Sequence, residues 1–294
     1  MSNTLTGVLT ALATPFAADG RIDEKTLRLL VDRSVDAGVD GVVACGSTGE
    51  FAAMSADERR LVVETVVDQT AGRVPVIAQT GALSTREAVE LSRHAAEVGA
   101  SVLMVVAPFY EPLTPDETSR YLRTVAASVD VPVMLYNLPA ATGVNLSPDT
   151  IGQLAREVEN IRYVKDTSGD MAQAGQLIRY HGDVVSTFVG WDSLLLQAIA
   201  EGAAGVMSGV ANVIPGELVS VYRALRDGDL ARGRAEWARI YPLVDAFLSV
   251  PFVQAVKAGL GAAGVAAGGP REPLLALDEA TAARIAALVE GVRG

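Results

Sequence analysis

The chain is short of the residues that build cross-links and metal sites. Cys45 is the only cysteine among 294 residues, so no internal disulfide can form. A lone thiol is compatible with a reducing cytoplasmic setting, which is the expected location. The two histidines, His94 and His181, lie far apart on segments of helical pattern, and with one cysteine they do not assemble a zinc site; no metal is expected. No run approaches the roughly 18 consecutive apolar residues of a transmembrane helix. The start, Met1-Ser2-Asn3-Thr4, lacks a basic region followed by an apolar run, so no signal peptide is expected. Basic residues are outnumbered, and the formal net charge of −11 argues against nucleic acid or an anionic membrane as partner. A small acidic substrate stays open, because local charge in a pocket decides that. Lysine is especially scarce: Lys25, Lys165 and Lys257 are the full set. No glycine fingerprint opens the first helix, which counts against a dinucleotide-binding sheet.

What is present is apolar material in a regular rhythm. Half of the chain is hydrophobic and 20% charged, an ordinary globular composition with enough for a large core. Short apolar runs recur at 7–12, 41–45, 74–78, 101–106, 131–136, 161–165, 184–190 and 203–207. Each is too short for a helix, and polar or glycine-containing turns bound them. Helical patterns lie between: Leu27, Leu30, Val31, Ser34 and Val35 share a face that Gly38 ends. Ser55 with Glu58, Ser84 with Glu87, and Thr114 with Glu117 have the spacing of capping boxes, the last with Pro115 at the first helical position. Ser147-Pro148 opens a short helix, and 215–225 forms the eighth. Eight strand–helix units predict an α/β fold, a (β/α)8 TIM barrel over 1–228. A helical extension over 229–294 is expected to pack on it, with a Gly/Ala/Pro-rich break at 259–273. Near-continuous apolar strands agree with a parallel sheet buried on both faces.

In such a barrel, reactive groups gather at the C-terminal strand ends. The polar punctuation falls there: Ser47 and Thr48 after the second strand, Tyr110 after the fourth, Tyr136 at the end of the fifth. Lys165 and Thr167 end the sixth, Gly190 and Asp192 follow the seventh, and Ser208 ends the eighth. Lys165 carries the argument. Strand alternation puts Tyr163, Lys165 and Thr167 on one face and Val164 and Asp166 on the other. Burial disfavours an ammonium relative to the neutral amine, and a neutral amine attacks carbonyls. Two plainer readings stand beside this: the side chain snorkels to solvent, or it pairs with Asp166 or Asp170. Likewise Gly-Ser-Thr-Gly is an ordinary turn, and Asp192 has the place of a helix N-cap. Together the residues make a coherent set. An amine condenses with a 2-oxo acid to an iminium, which stabilises a carbanion equivalent at the next carbon. A tyrosine hydroxyl moves the protons, and the backbone N–H groups of the 46–49 turn with Thr48 Oγ form a nest for a carboxylate. No metal or organic cofactor is required.

Gly46-Ser47-Thr48-Gly49-Glu50, Tyr136-Asn137-Leu138-Pro139 and the Lys165 strand resemble the dihydrodipicolinate synthase / N-acetylneuraminate lyase family, in order across residues 5–225. The resemblance implies a barrel, a class I Schiff-base mechanism and a homotetramer built from dimers. It implies Lys165 as the Schiff-base lysine, Tyr136 as proton shuttle and Ser47 as a relaying hydroxyl. By the same resemblance, Tyr110 is the tyrosine that reaches a neighbouring subunit's site, Thr48 binds the carboxylate, and the backbone of Met207 lines the pyruvyl pocket. The synthase branch carries an arginine two residues after the proline of its Tyr-Asn-x-Pro motif; here that position is Ala141, which disfavours 4-hydroxy-tetrahydrodipicolinate synthase activity. Lys165 to Asp170 is similar to the lyase branch, where the Thr167 position binds a substrate hydroxyl and the Gly190, Asp192 and Ser208 positions contact a polyol. That branch's glutamate is Ser193 here, which favours a shorter sugar acid than sialic acid. The expected enzyme is a class I aldolase, a lyase releasing pyruvate from a 2-oxo-3-deoxy sugar acid or related hydroxy-oxo acid. A dehydratase using the same iminium and a non-catalytic sugar-acid binding protein are the alternatives.

Overall fold

The computed structural model describes residues 5–293, and the signal-peptide reading of Met1 to Thr4 lies outside them. In chain order the elements are β1 (Gly7–Ala11), α1 (Glu24–Asp36), β2 (Gly41–Ala44), α2 (Ala56–Thr70), β3 (Val76–Gln79), α3 (Thr85–Glu97), β4 (Val102–Val106) and α4 (Pro115–Ala126). There follow β5 (Val133–Asn137), α5 (Pro139–Thr142), α6 (Pro148–Glu157), β6 (Ile161–Asp166), α7 (Met171–His181), β7 (Ser186–Val189), α8 (Leu195–Glu201), β8 (Gly205–Ser208) and α9 (Pro215–Arg226). The extension holds α10 (Leu230–Leu248), α11 (Phe252–Ala262) and α12 (Glu279–Arg293). The strands form a closed barrel in the order β1 to β8, the predicted (β/α)8 architecture with added C-terminal helices. All described strand pairs are parallel. Every residue of β4 and β5 is buried, as a strand covered on both faces requires.

The helix starts follow their local chemistry. Ser55 and Thr114 each accept from the backbone N–H three residues on, while Glu58 and Glu117 reach back to the cap, so both boxes form in full. Ser84 accepts from Glu87 N, but no return bond from Glu87 forms, so this is a simple cap and not the predicted box. The break in the C-terminal extension begins later than expected, because α11 runs through Gly259 and Gly261 to Ala262.

The chain divides into two compact units. Among the described residues, one contains 5–6 and Pro75–Met207; the other contains Gly7–Val74 and 208–293. In the first, β5 and β6 pair with a register shift between Val133 and Met134, after which Tyr136 lies opposite Lys165 and Asn137 opposite Asp166. In the second, β1 and β2 pair and lead into the Gly46–Gly49 turn, and α10, α11 and α12 pack on one another. Among the described residues no helix is long and apolar enough to cross a membrane.

Candidate active site

The lysine that the sequence singled out is buried. Lys165 is 5% exposed and Tyr136 3%, which rules out the snorkelling reading. Because the two are register partners on parallel strands, their side chains leave the sheet on the same side. Lys165 Nζ stands 4.1 Å from the centroid of the Tyr136 ring. The ring's negative face suits any cationic nitrogen placed there. Lys165 does not pair with either nearby aspartate. Asp170 caps α7, accepting from Ala172 N at 2.8 Å and Gln173 N at 3.3 Å. Asp166 alternates to the other face, where its Oδ1 accepts from Asn137 Nδ2 at 2.9 Å, Gln173 Nε2 at 3.2 Å and Ser168 N at 3.2 Å. Ser168 Oγ donates to its Oδ2 at 2.9 Å.

This network was missed in the sequence, although Tyr136-Asn137 and Lys165-Asp166 are both contiguous pairs. Asn137 also donates to Asn145 Oδ1 at 2.8 Å and accepts from Leu146 N at 2.9 Å, and Asn145 and Gln173 exchange bonds. The outward-facing neighbours of Tyr136 and Lys165 are thereby tied to each other, and they close the 138–146 loop that carries Ala141. Ala141 itself lies exposed on α5.

Beside the amine, Thr167 is buried and its Oγ1 has no hydrogen-bond partner among the described residues. Gly190 follows β7 and donates its N–H to Asp166 O at 2.8 Å. A Cβ built on Gly190 would overlap both Thr167 Oγ1 and Lys165 Cε, so these two side chains pack directly against the Gly190 backbone and leave no room for a side chain there. Asp192 is buried as the first residue of a 3-10 turn whose cap position is Trp191, so it does not serve as the N-cap its position suggested. Met207 is buried within β8. Tyr110, by contrast, is 80% exposed. It lies on a shallow concavity with Leu83, Pro108, Leu113 and Tyr121. A separate concavity opens at the N-terminal strand ends, lined by Pro75, Asp130, Glu159, Arg162 and Asp183, and none of the predicted residues lines it.

The second unit holds Ser47 and Thr48. Bonds from Gly49 N to Gly46 O at 3.0 Å and from Glu50 N to Ser47 O at 3.1 Å wind the loop into successive turns. Left-handed residues bracket it: Cys45 at φ 57° and Glu50 at φ 59°. This conformation disfavours any residue with a Cβ, at about 1–2 kcal/mol each. Thr14 Oγ1 donates to Gly49 O at 2.7 Å and holds the turn from the β1 side. Cys45 is buried, and desolvation pushes its thiol up to about 12, so it is no nucleophile at neutral pH. Ser208 accepts from Ala211 N at 3.0 Å and so caps the turn that follows β8.

Comparison with known proteins gives the family. A model of the "Dihydrodipicolinate synthetase family" matches residues 4–291. The chain is 38% identical to a protein of Pelobacter propionicus named 4-hydroxy-tetrahydrodipicolinate synthase, covering 97% of each. It is 43% identical to an uncharacterized DapA-like lyase of Halobacterium salinarum, over 94% of this chain and 90% of that protein. The solved dihydrodipicolinate synthase of Acinetobacter baumannii, complexed with pyruvate, superposes with a TM-score of 0.95 at 31% identity, over 99% of both chains. By fold and by sequence, the chain belongs to the dihydrodipicolinate synthetase family of pyruvate-dependent class I aldolases and lyases.

Proposed function

We propose that this enzyme cleaves, or forms, a 2-oxo-3-deoxy sugar acid or a related hydroxy-oxo acid through a Schiff base on Lys165. The observation that supports this most is the placement of Lys165 Nζ over the Tyr136 ring, with the Lys165 stem and the unpartnered hydroxyl of Thr167 both close against Gly190. The amine attacks C2 of the 2-oxo acid, water leaves, and the protonated imine keeps its positive charge at the tyrosine face. Tyr136 takes the proton of the C4 hydroxyl as the C3–C4 bond breaks. The electron pair passes into the iminium to give the enamine, and an aldehyde departs. Protonation at C3 and hydrolysis then release pyruvate and regenerate the amine. Thr167 would meet a substrate hydroxyl, and Gly190, Asp192 and Ser208 the rest of the chain. Ser47 and Tyr110 as proton relays, Thr48 as carboxylate donor and Met207 as a wall of the pyruvyl pocket enter on family likeness. The same likeness, with the exposed Tyr110 and Leu83, supports a homotetramer in which Tyr110 meets a second copy.

The names of several relatives favour a second reading, 4-hydroxy-tetrahydrodipicolinate synthase. Ala141 weighs against it, since no guanidinium at that position can hold a second carboxylate. The test has two stages. Borohydride reduction in the presence of pyruvate should leave one pyruvyl adduct on Lys165, and none in Lys165→Ala; an adduct retained in that variant would sink the assignment. Pyruvate release from 2-oxo-3-deoxy acids, exceeding condensation of pyruvate with aspartate semialdehyde, would then select the sugar-acid reading. A product that keeps all of its carbons would mean dehydration instead.

A further inference from the structure

The last third of the second unit reaches back to the loop that bears Ser47 and Thr48. Glu50, which closes that loop in a left-handed conformation, is buried, and both oxygens of its carboxylate are engaged by residues more than 200 positions later. Oε1 lies 2.8 Å from Lys257 Nζ on α11, with side-chain exposures of 2% and 3%. Oε2 accepts from Arg271 N at 2.8 Å, a contact spanning 221 residues of sequence. Lys257 also donates to Gly269 O at 2.7 Å. Both cations face the Phe16 ring, Lys257 Nζ at 4.3 Å and the Arg271 guanidinium carbon at 4.1 Å from its centroid. The segment between them passes so close to Phe16 that a Cβ on Gly268 would overlap the Phe16 carbonyl oxygen. The Arg271 guanidinium then donates to Ala53 O at 2.8 Å, Gly20 O at 2.6 Å and both oxygens of Glu58, at 2.7 and 3.0 Å.

The barrel alone does not need such a set. A buried ion pair is weak support for stability, since its desolvation offsets much of the attraction. Burial pulls the Lys257 ammonium below its ordinary range, and Glu50 opposes that pull. The set anchors the side chain of Glu50, two residues after Thr48, at a left-handed backbone position that is disfavoured for any residue with a Cβ.

We propose that Lys257 and Arg271 are positioning residues which, through Glu50, hold the Gly46–Gly49 turn in register to receive the substrate carboxylate. The C-terminal extension is thereby part of the binding apparatus, and its role rests on the Schiff-base reading above. Neither residue touches substrate; each acts on the orientation of Ser47, Thr48 and the turn's N–H groups.

Methyl pyruvate, which has the ketone of pyruvate but no carboxylate charge, separates positioning from mere stability. Borohydride trapping on Lys165 is measured with both compounds in wild type, Lys257→Met, Lys257→Arg and Arg271→Met, each verified as folded by circular dichroism at the assay temperature. The expected result is that wild type prefers pyruvate. In Lys257→Met the half-saturating pyruvate concentration should rise at least tenfold, that for methyl pyruvate should change less than twofold, and Lys257→Arg should recover part of the preference. Arg271→Met keeps the backbone donor to Glu50 and should lose threefold or more, so it serves if Lys257→Met does not fold. A preference unchanged in the folded variants, or equal losses with both compounds, would overturn the proposal. No adduct in wild type would instead overturn the Schiff-base reading itself.

Discussion

Asp166 and Glu50 are both buried carboxylates within two residues of a predicted site residue, and the protein satisfies them with different chemistry. Asp166, next to Lys165, is held by neutral donors: two side-chain amides, a hydroxyl and a backbone N–H. Glu50, after Thr48, is held by an ammonium and a backbone N–H. The two buried lysines divide accordingly. Lys257 is committed to an ion pair, whereas Lys165 forms no ion pair among the described residues. A carboxylate bound to Lys165 would hold it as ammonium and block its attack on a carbonyl. Neutral donors on the opposite strand face let Asp166 order the 166–170 segment without capturing the amine. At Glu50 no bond is made or broken, so a cation serves well as a strut.

The largest effect should come from removing the cation. Lys257→Met leaves Glu50 buried and uncompensated, which should cost about 3–5 kcal/mol in urea denaturation. Adding Glu50→Gln to Lys257→Met should restore much of that loss, because the buried charge is then gone. No recovery in the double variant would mean that the lysine packs rather than pairs, and the contrast with Asp166 would collapse. Asp166→Asn is the matching change on the other side. It keeps shape and removes charge: the amide oxygen takes the place of Oδ1 for all three N–H donors, the NH2 faces only the Ser168 hydroxyl, which can accept, and we expect a loss of about 0.5–1.5 kcal/mol as charge-assisted bonds become neutral ones. No paired variant should rescue it, since no cation is left behind.

The same contrast explains what could be read in the sequence and what could not. The strands, the Lys165 chemistry and the Gly-Ser-Thr-Gly loop are legible because each is a short contiguous pattern. An apolar run stopped by a lysine and small polar residues carries its meaning locally. The Asp166 network was half legible: Asn137 and Asp166 were visible as neighbours of site residues, but their alignment depends on the β5–β6 register. The Glu50 set was opaque. Lys257 read as one more helical residue, and Arg271 lay in a stretch that composition marks as a break. A residue pair 221 positions apart leaves no periodicity to detect. The missing return bond at Ser84 has the same origin, since spacing gives the opportunity for a capping box and side-chain placement decides it.

A smaller effect sharpens the comparison by pH. Glu58 grips the exposed end of the Arg271 guanidinium, and hydrogen bonding to Arg271 holds its carboxyl below the ordinary value of 4.5, against the opposing effect of burial. A carboxyl with a lowered folded-state pKa contributes stability that is fully present above its ordinary value and lost as pH falls through the folded one. The pair is partly exposed, so its worth is about 0.5–1 kcal/mol. Glu58→Gln should therefore melt below wild type at pH 7, and the gap should close as pH is lowered past 4.5. A constant gap across that range would assign the effect to shape.

Thr167 completes the comparison as a buried polar group with no partner among the described residues. Asp166 has neutral donors and Glu50 a cation, but Thr167 Oγ1 is left unbonded, although it stands beside Lys165 where a Cβ on Gly190 would overlap it. Burying a hydroxyl without a hydrogen bond is unfavourable, so removing it should not destabilise the fold. Thr167→Val should leave stability unchanged or raised by up to about 1 kcal/mol. Pyruvate has no hydroxyl to offer, so its trapping on Lys165 should also be unaffected. Only a hydroxylated substrate should register the loss, as a fall in kcat/KM of about tenfold, the equivalent of about 1.4 kcal/mol in transition-state binding. If Thr167→Val lowers stability and pyruvate trapping together, the hydroxyl serves the barrel and not the substrate. A loss confined to hydroxylated substrates would mark Thr167 as the position where the enzyme tells a sugar acid from pyruvate alone.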